Sequence, residues 1–289
     1  MPDAPPVLRL LAPNPGAFTG AGTNTYLLGQ DQIVVVDPGP NLPAHLAAIL
    51  TALRGRTVTA ILVTHAHLDH TGLVPGLVAL TGAEVLAYGD ANAGISPQMQ
   101  RLGAEGLTGG EGSDVTFTPD RRVTDGETLN LGGMTIGVIH TPGHMGNHIC
   151  LSLGDSLLSG DHVMGWSTSI ISPPEGDMTD YLASLDKLAR RRWRQFLPGH
   201  GAAVTDPAGR LRALIQHRKD REAAILSALI AGPATSADLA ARIYTTTPAA
   251  LLPAATRNVL AHLIDLQGKG RVEAIQRPLA TARFALTPR

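Results

Sequence analysis

The stretch Thr64-His65-Ala66-His67-Leu68-Asp69-His70 decides how this chain is read. It follows the apolar run Ala60-Ile61-Leu62-Val63, a short strand by its composition, and sets four metal-competent side chains within six residues. On a helix, positions i and i+2 point about 200° apart, so His65 and His67 could not meet on one ion. On a tight loop leaving a strand end they can converge. Imidazole and carboxylate together suit zinc and similar divalent ions.

Three further clusters share that setting. They are His140-Thr141-Pro142-Gly143-His144 with Asn147-His148, then Ser159-Gly160-Asp161-His162, then Pro198-Gly199-His200-Gly201. Each lies where an apolar run meets a Gly/Pro turn. Loops held by a rigid sheet are where binding and catalytic groups concentrate. Each of the later clusters is a weak signal alone; the four in this order are a strong one.

The rest of the composition narrows the class. The chain has 289 residues, 23 Lys+Arg against 24 Asp+Glu, 11 His and a single Cys. One cysteine excludes an intramolecular disulfide framework and any zinc module built on two or more cysteines. A formal charge of −1 argues against a globally basic nucleic-acid binder, and 44% hydrophobic residues against disorder. The N-terminal MPDAPPVLRLLAPNPG is too short in its apolar run for a secretory signal, and no 18-residue apolar stretch follows. The expectation is a soluble cytoplasmic protein with no membrane partner.

The near-zero charge hides an asymmetry. Residues 1–204 carry 11 Lys+Arg and 18 Asp+Glu, hence −7; residues 205–289 carry 12 and 6, hence +6. Texture changes at the same place, from short β-like runs with Gly/Pro turns to an Ala/Leu/Arg-rich helical pattern. This predicts two domains, 1–205 and 206–289, with turn residues Thr205-Asp206-Pro207-Ala208-Gly209 between them. Hairpins are predicted for Thr23–Leu28 with Ile33–Asp37, Thr128–Leu131 with Met134–His140, and Ile149–Leu153 with Ser156–Ser159. Helices are predicted over Leu73–Leu80 and Tyr181–Arg192, and a mobile loop over Gly103–Gly112. Beyond residue 205, helices over 210–230, from Thr235-Ser236 to Tyr244, and over Ala254–Gln267 precede a strand pair, Arg271–Ile275 with Ala282–Leu286. That order predicts a winged-helix-like module.

These motifs carry a resemblance. HAHLDH, the His of TPGH, the Asp of SGD and the His of PGHG resemble the metallo-β-lactamase-fold hydrolases. The His217-Arg218…Arg221-Glu222 segment, Asn14-Pro15-Gly16, Gly22-Thr23-Asn24-Thr25-Tyr26 and Tyr181–Leu185 resemble the endoribonuclease β-lactamase-like protein 2 subfamily, which ends in a winged helix. The resemblance covers nearly the full chain. It implies an α/β (α+β) four-layer αβ/βα sandwich with a dinuclear metal site at one sheet edge. It implies His65, His67 and His144 on one metal, Asp69, His70 and His200 on the other, and Asp161 bridging. Two divalent ions, zinc by default with iron or manganese as alternatives, would lower the pKa of a bridging water towards neutrality, and the hydroxide would attack an ester-type bond. Asp69 is the candidate catalytic residue, able to orient the nucleophile or take its proton. Asp37, at the end of Ile33–Val36, is a candidate partner for a ligand histidine, or simply a turn-forming residue.

Trp166, Ser167 and Thr168 follow the bridging Asp and are candidates to line a substrate pocket, with Tyr181 a weaker one. In lactamases that use a cysteine ligand, the Cys falls where this chain has Asp161, whereas Cys150 lies in an apolar run and reads as core. This points from β-lactams towards other esters. Two substrates stay open: a phosphodiester of single-stranded RNA, or a small-molecule ester, thioester or lactone as in the hydroxyacylglutathione hydrolases. A non-enzymatic alternative is a metal-stabilised nucleic-acid-binding protein. The last predicted helix is mostly apolar, with Arg257 its one permanent cation, so a packing or dimerisation role is favoured over sequence-specific DNA reading. Homodimerisation is left open.

Overall fold

The protein is described by a computed structural model covering residues 6–110 and 112–288. Its first sheet has six strands in sequence order: β1 (Val7–Leu11), β2 (Asn24–Leu28), β3 (Gln32–Val36), β4 (Thr57–Leu62), β5 (Glu84–Ala87) and β6 (Arg121–Arg122). β1, β2 and β3 pair antiparallel, and β3 to β6 pair parallel. The parallel steps need crossovers, supplied by α1 (Pro43–Leu53), by α2 (Leu68–Thr71) with α3 (Val74–Thr81), and by α4 (Pro97–Ala104). The second sheet runs β11-β10-β9-β8-β7, from β7 (Thr128–Leu131), β8 (Met134–His140), β9 (Ile149–Leu153), β10 (Ser156–Gly160) and β11 (Gln195–Pro198). β7 to β10 are a meander. β11 joins parallel to β10 after crossing through α5 (Met178–Ala189).

Burial on both faces explains why the strands read as continuous apolar runs. In β3, Ile33 and Val35 pack outward with Ile49, Leu53 and Leu77 of α1 and α3, while Val34 and Val36 pack inward against the second sheet. Ile61 and Leu62 of β4 divide in the same way. The inner layer takes Ile136, Val138, Leu151 and Leu158 from the second sheet. That sheet's outer face, through Cys150, Leu157 and Phe196, meets Tyr181, Leu185 and Leu188 of α5 and Leu211 and Leu214 of α6 (Pro207–Leu229). The result is the predicted α/β four-layer sandwich. Each fully buried aliphatic side chain contributes about 1.5–3 kcal/mol.

Beyond α6 lie β12 (Ala234–Thr235), α7 (Ser236–Ile243), α8 (Leu252–Gly268), β13 (Val272–Ala274) and β14 (Arg283–Leu286). The last strands form an antiparallel sheet, β12-β14-β13, which is the expected wing. Thr235 caps α7 with a reciprocal capping box to Asp238. α6 is shared between cores: Ile225 and Leu229 pack with Leu239, Val259, Leu263 and Phe284 of the winged-helix region. Among the described residues no helix is long and apolar enough to cross a membrane.

Several elements were not anticipated, β1 and α4 among them. β1 is an exposed edge strand with no alternation to read. α4 runs into the segment expected to be a mobile loop: Gly103 lies within the helix, Glu111 is outside the described residues, and Gly110 and Gly112 line a cavity.

One polar contact ties the sheets at the end that carries the site. Buried Asn24 donates from Nδ2 to the carbonyls of Pro198 and Gly201, each at 2.8 Å, and Tyr26 Oη donates to Pro198 O at 2.8 Å. Asn24→Ala leaves buried carbonyls short of a donor and is expected to destabilise the protein by about 1–3 kcal/mol in urea unfolding.

Candidate metal centre

All four sequence clusters arrive at one end of the sandwich. His65, His67, Asp69 and His70 lie on the turn after β4 and on α2, His144 on the turn after β8, Asp161 just past β10, and His200 just past β11. Ligand-capable atoms of His65, His67 and His144 lie within 4.8 Å of one another, as do those of Asp69, His70 and His200, and of His65, His70 and Asp161. Asp161 stands between the sets: its oxygens are 3.6 Å from His70 Nε2, 3.2 Å from His200 Nε2 and 3.8 Å from His144 Nε2.

The outer hydrogen bonds fix which ring nitrogens face inward. His70 Nδ1 donates to Asp37 Oδ2 at 3.0 Å, His144 Nδ1 to Ile170 O at 2.7 Å and His200 Nδ1 to Gly22 O at 3.1 Å. Carbonyls and carboxylates only accept, so each Nδ1 carries a proton and Nε2 is the nitrogen that each ring presents to the site. His65 follows by one relay. Thr64 Oγ1 spends its proton on Asp37 Oδ2 at 2.8 Å and accepts from His65 Nδ1 at 3.0 Å. His67 instead offers Nδ1, which lies 3.0 Å from His65 Nε2 and 3.1 Å from His144 Nε2.

Nitrogens and carboxylates converging in this way need positive charge among them, from protons on the rings or from a metal ion. The buried atoms His70 Nε2 and Asp161 Oδ1 have no hydrogen-bond partner among the described residues. Burial keeps His65 neutral and pushes His67 down to about 3. For His200, burial opposes the charged form, but Asp161 and Asp69 outweigh it and raise the ring to about 10. Burial likewise opposes charge on His70, and Asp69, Asp161 and Asp37 overcome it. The donor set of nitrogens and carboxylate oxygens therefore fits divalent cations.

Asp37 is the least replaceable of the supports. Its second oxygen accepts from Thr64 N at 2.8 Å, and its backbone is left-handed at φ 50°, which Asp and Asn tolerate better than other side chains. Thr25 Oγ1 donates to Asp37 O at 2.7 Å and itself accepts from buried His45 Nε2 at 2.8 Å. His148, next to the ligand turn, accepts from Asp161 N at 3.1 Å, and His140 donates to Gly146 O at 2.8 Å and stacks on Tyr88.

A cavity of about 270 Å³ opens over the cluster. His67, Asp69, His144, Asp161 and His200 form its floor, and Ala17, Phe18, Met164, Ile170 and Ala254 supply apolar wall. Ser167 and Thr168 line it as expected. Trp166, expected beside them, is not among the lining residues: it is 47% exposed and its indole lies against Gly20 and Gly201. The expectation for Tyr181 is corrected. It is fully buried in the core under α5, its hydroxyl 3.3 Å from His162 O, because the first turns of α5 face the second sheet and not the cavity. His162 packs against that ring and also faces away. Sequence reasoning missed Phe18, Ser172, Glu175 and Arg257 on the wall; only Arg257, the lone permanent cation of α8, carried a signal.

Asp37→Asn keeps the left-handed turn but places an amide donor against His70 Nδ1. Affinity for divalent ions is expected to fall about 10–100-fold, measured by competition with a chromophoric chelator.

Comparison with known proteins agrees with this geometry. Residues 18–200 match the metallo-beta-lactamase superfamily model, and residues 235–278 match the beta-lactamase associated winged helix domain. The chain is 31% identical to the beta-lactamase-like protein 2 homolog of Drosophila melanogaster, over 92% of this chain and 89% of that one. It is 30% identical to the atrochrysone carboxyl ACP thioesterase dmxR1 of a Cryptosporiopsis species, over 78% of this chain and 63% of that protein. Among solved structures, the metallo-beta-lactamase family protein TTHA1429 of Thermus thermophilus superposes with a TM-score of 0.77 at 26% identity, covering 97% of this chain and 98% of that one. With its folded histidine and aspartate clusters, this chain belongs to the metallo-β-lactamase superfamily as a metal-dependent hydrolase bearing a β-lactamase-associated winged-helix domain.

Proposed function

We propose that this hydrolase cleaves a small acyl ester or thioester at a centre of two divalent ions. His65, His67 and His144 would hold one ion, Asp69, His70 and His200 the other, and Asp161 both; zinc is the default, with iron and manganese fitting the same donors. Bound there, the ions would supply Lewis acidity and an acidified water.

The observation that carries the substrate class is the cavity. It is small and partly open, and beside the polar Ser172, Glu175 and Arg257 it has an apolar wall of Phe18, Met164, Ile170, Ala17 and Ala254 over the histidines. An acyl chain fits such a wall. A polynucleotide needs a cationic track and stacking aromatics, and here Phe18 is the one aromatic on the wall in a chain that is 3% aromatic. The relative named as an acyl-carrier thioesterase supports the same chemistry.

Asp69 is the proposed proton-handling group. Its side chain is 28% exposed and faces the cavity, with Oδ2 held by Thr23 Oγ1 at 3.0 Å. Thr23 Oγ1 in turn accepts from Asn14 Nδ2 at 2.9 Å. Oδ2 also lies 3.2 Å from His200 Nε2 and 3.5 Å from His70 Nε2 and would face the metal, which leaves Oδ1 to accept the proton of the attacking water and return it to the leaving group. Ser167 and Thr168 offer hydroxyls to the polar end of the acyl group.

A phosphodiester substrate is the second reading, favoured by the full-length likeness to the beta-lactamase-like protein 2 homologue and by the +6 charge of residues 205–289. The division at 205/206 is part of the proposal. So is a packing role for the winged helix, supported by the burial of Ala255 and residues 258–266 of α8.

Wild-type protein is expected to turn over an acyl thioester faster than bis-p-nitrophenyl phosphate or a short single-stranded RNA. RNA cleavage without thioester turnover would reverse the order of the two readings. Asp69→Ala is expected to lower kcat about 10²–10⁴-fold in steady-state assays. Chelation is expected to abolish turnover and lower Tm, with both restored by added zinc, iron or manganese.

A further inference from the structure

The segment 161–172 runs from Asp161 past the cavity with no helix or strand of its own. Its backbone carbonyls therefore need partners from elsewhere. α6 supplies them. Arg210 donates from Nε to Met164 O at 2.6 Å and from Nη2 to Ser167 O. Arg218 donates from Nη2 to Ser169 O and from Nη1 to Asn258 Oδ1 at 3.2 Å, and lies over the Tyr181 ring. Arg210, Leu214 and Arg218 follow one another at intervals of four, so they share one face of the helix. Asn258 of α8 completes the clasp by accepting from Ile171 N at 3.2 Å.

Each end of the clasped segment reaches the metal centre. Ile170 O is the acceptor that orients His144. Ser169 Oγ donates to the backbone carbonyl of Asp161, the residue that stands between the two ligand sets. Ser167 and Thr168, between the anchors, line the cavity. Arg218 is 1% exposed, and among the described residues no carboxylate lies within ion-pair distance of it. A buried guanidinium without a counter-ion is costly, and an apolar side chain would fill the core at less expense. What the guanidinium adds is a rigid fork that grips two acceptors at once.

We propose that Arg210 and Arg218 form a staple on α6 and are positioning residues for the metal centre. They act through the 161–172 backbone on His144 and Asp161. The winged-helix region is then part of the active-site scaffold, since Asn258 shares the grip. The inference rests on the assignment of His144 and Asp161 as ligands.

The test uses the full-length chain and the metal alone as probe. Arg210→Met, Arg218→Met and the exposed control Lys219→Ala are titrated with Zn²⁺ against a chromophoric chelator. Their Co²⁺ forms are compared by visible absorption, and thermal unfolding reports folding. The staple predicts about a 10–100-fold loss of affinity for at least one ion and an altered Co²⁺ spectrum in the two arginine variants, with the control unchanged. Arg218→Met risks misfolding because the site is buried; the half-buried Arg210 then carries the test. Folded Arg210→Met with wild-type affinity and spectrum overturns the staple, as does an equal loss in Lys219→Ala. Absence of divalent binding by the wild-type chain overturns the ligand assignment instead.

Discussion

The hydrogen bond from His70 Nδ1 to Asp37 Oδ2 is the constraint on which the rest of the centre depends. It fixes one ring directly, and through the Thr64 hydroxyl it fixes His65 as well. The same logic is repeated by the carbonyls of Ile170 and Gly22 for His144 and His200. Four imidazoles are thereby held in one orientation, each with Nε2 towards the site, before any ion arrives. A cluster of lone pairs and carboxylates is unfavourable alone, and the sandwich core holds it in place. Asp37 can occupy its position because a buried strand, Ile33–Val36, delivers it to the sheet end. A left-handed turn then redirects the chain at once.

The sheet ends act as a common origin for the ligands. β4, β8, β10 and β11 come from two different sheets, yet all release their site residues on one side. Asn24 and Tyr26 couple the sheets there by gripping Pro198 and Gly201 around His200. The cavity above inherits its shape from segments that have no ladder of their own, chiefly 161–172 and the turn carrying Phe18. The first is held by side-chain donors from α6 and α8, the second by its own Gly16–Gly20 backbone bonds and by Thr19 Oγ1 donating to Asn14 O. A helical module that looks like an appendage in the sequence thus takes part in shaping the site.

Much of the fold was readable from the chain because its strands are short, apolar and separated by Gly-rich turns. The hairpin across Gly132-Gly133 has the expected strand limits, and the winged-helix elements follow the predicted order. The metal-competent residues were readable because histidines and aspartates at strand ends have a narrow range of uses. What escaped was long-range. β1 carries no alternation, since it is an edge strand exposed on most positions. Tyr181 looked like a pocket residue because its neighbourhood in sequence resembles a functional segment, but the direction of a helix face depends on packing with distant strands. Arg218 stood out only as part of a family-like segment and Arg210 not at all, because their backbone acceptors lie more than forty residues away. Asp37 was ambiguous for the same reason: its partners, Thr64 and His70, are about thirty residues away on the turn after β4 and on α2.

The central claim is that one pre-oriented set of five histidines and two aspartates holds two ions. The most direct test is a crystal structure of the metal-loaded protein with anomalous diffraction at the metal edge. The account predicts two anomalous peaks, one contacting His65, His67 and His144, the other Asp69, His70 and His200, with Asp161 touching both. A single peak, or a second one outside these residues, would contradict it.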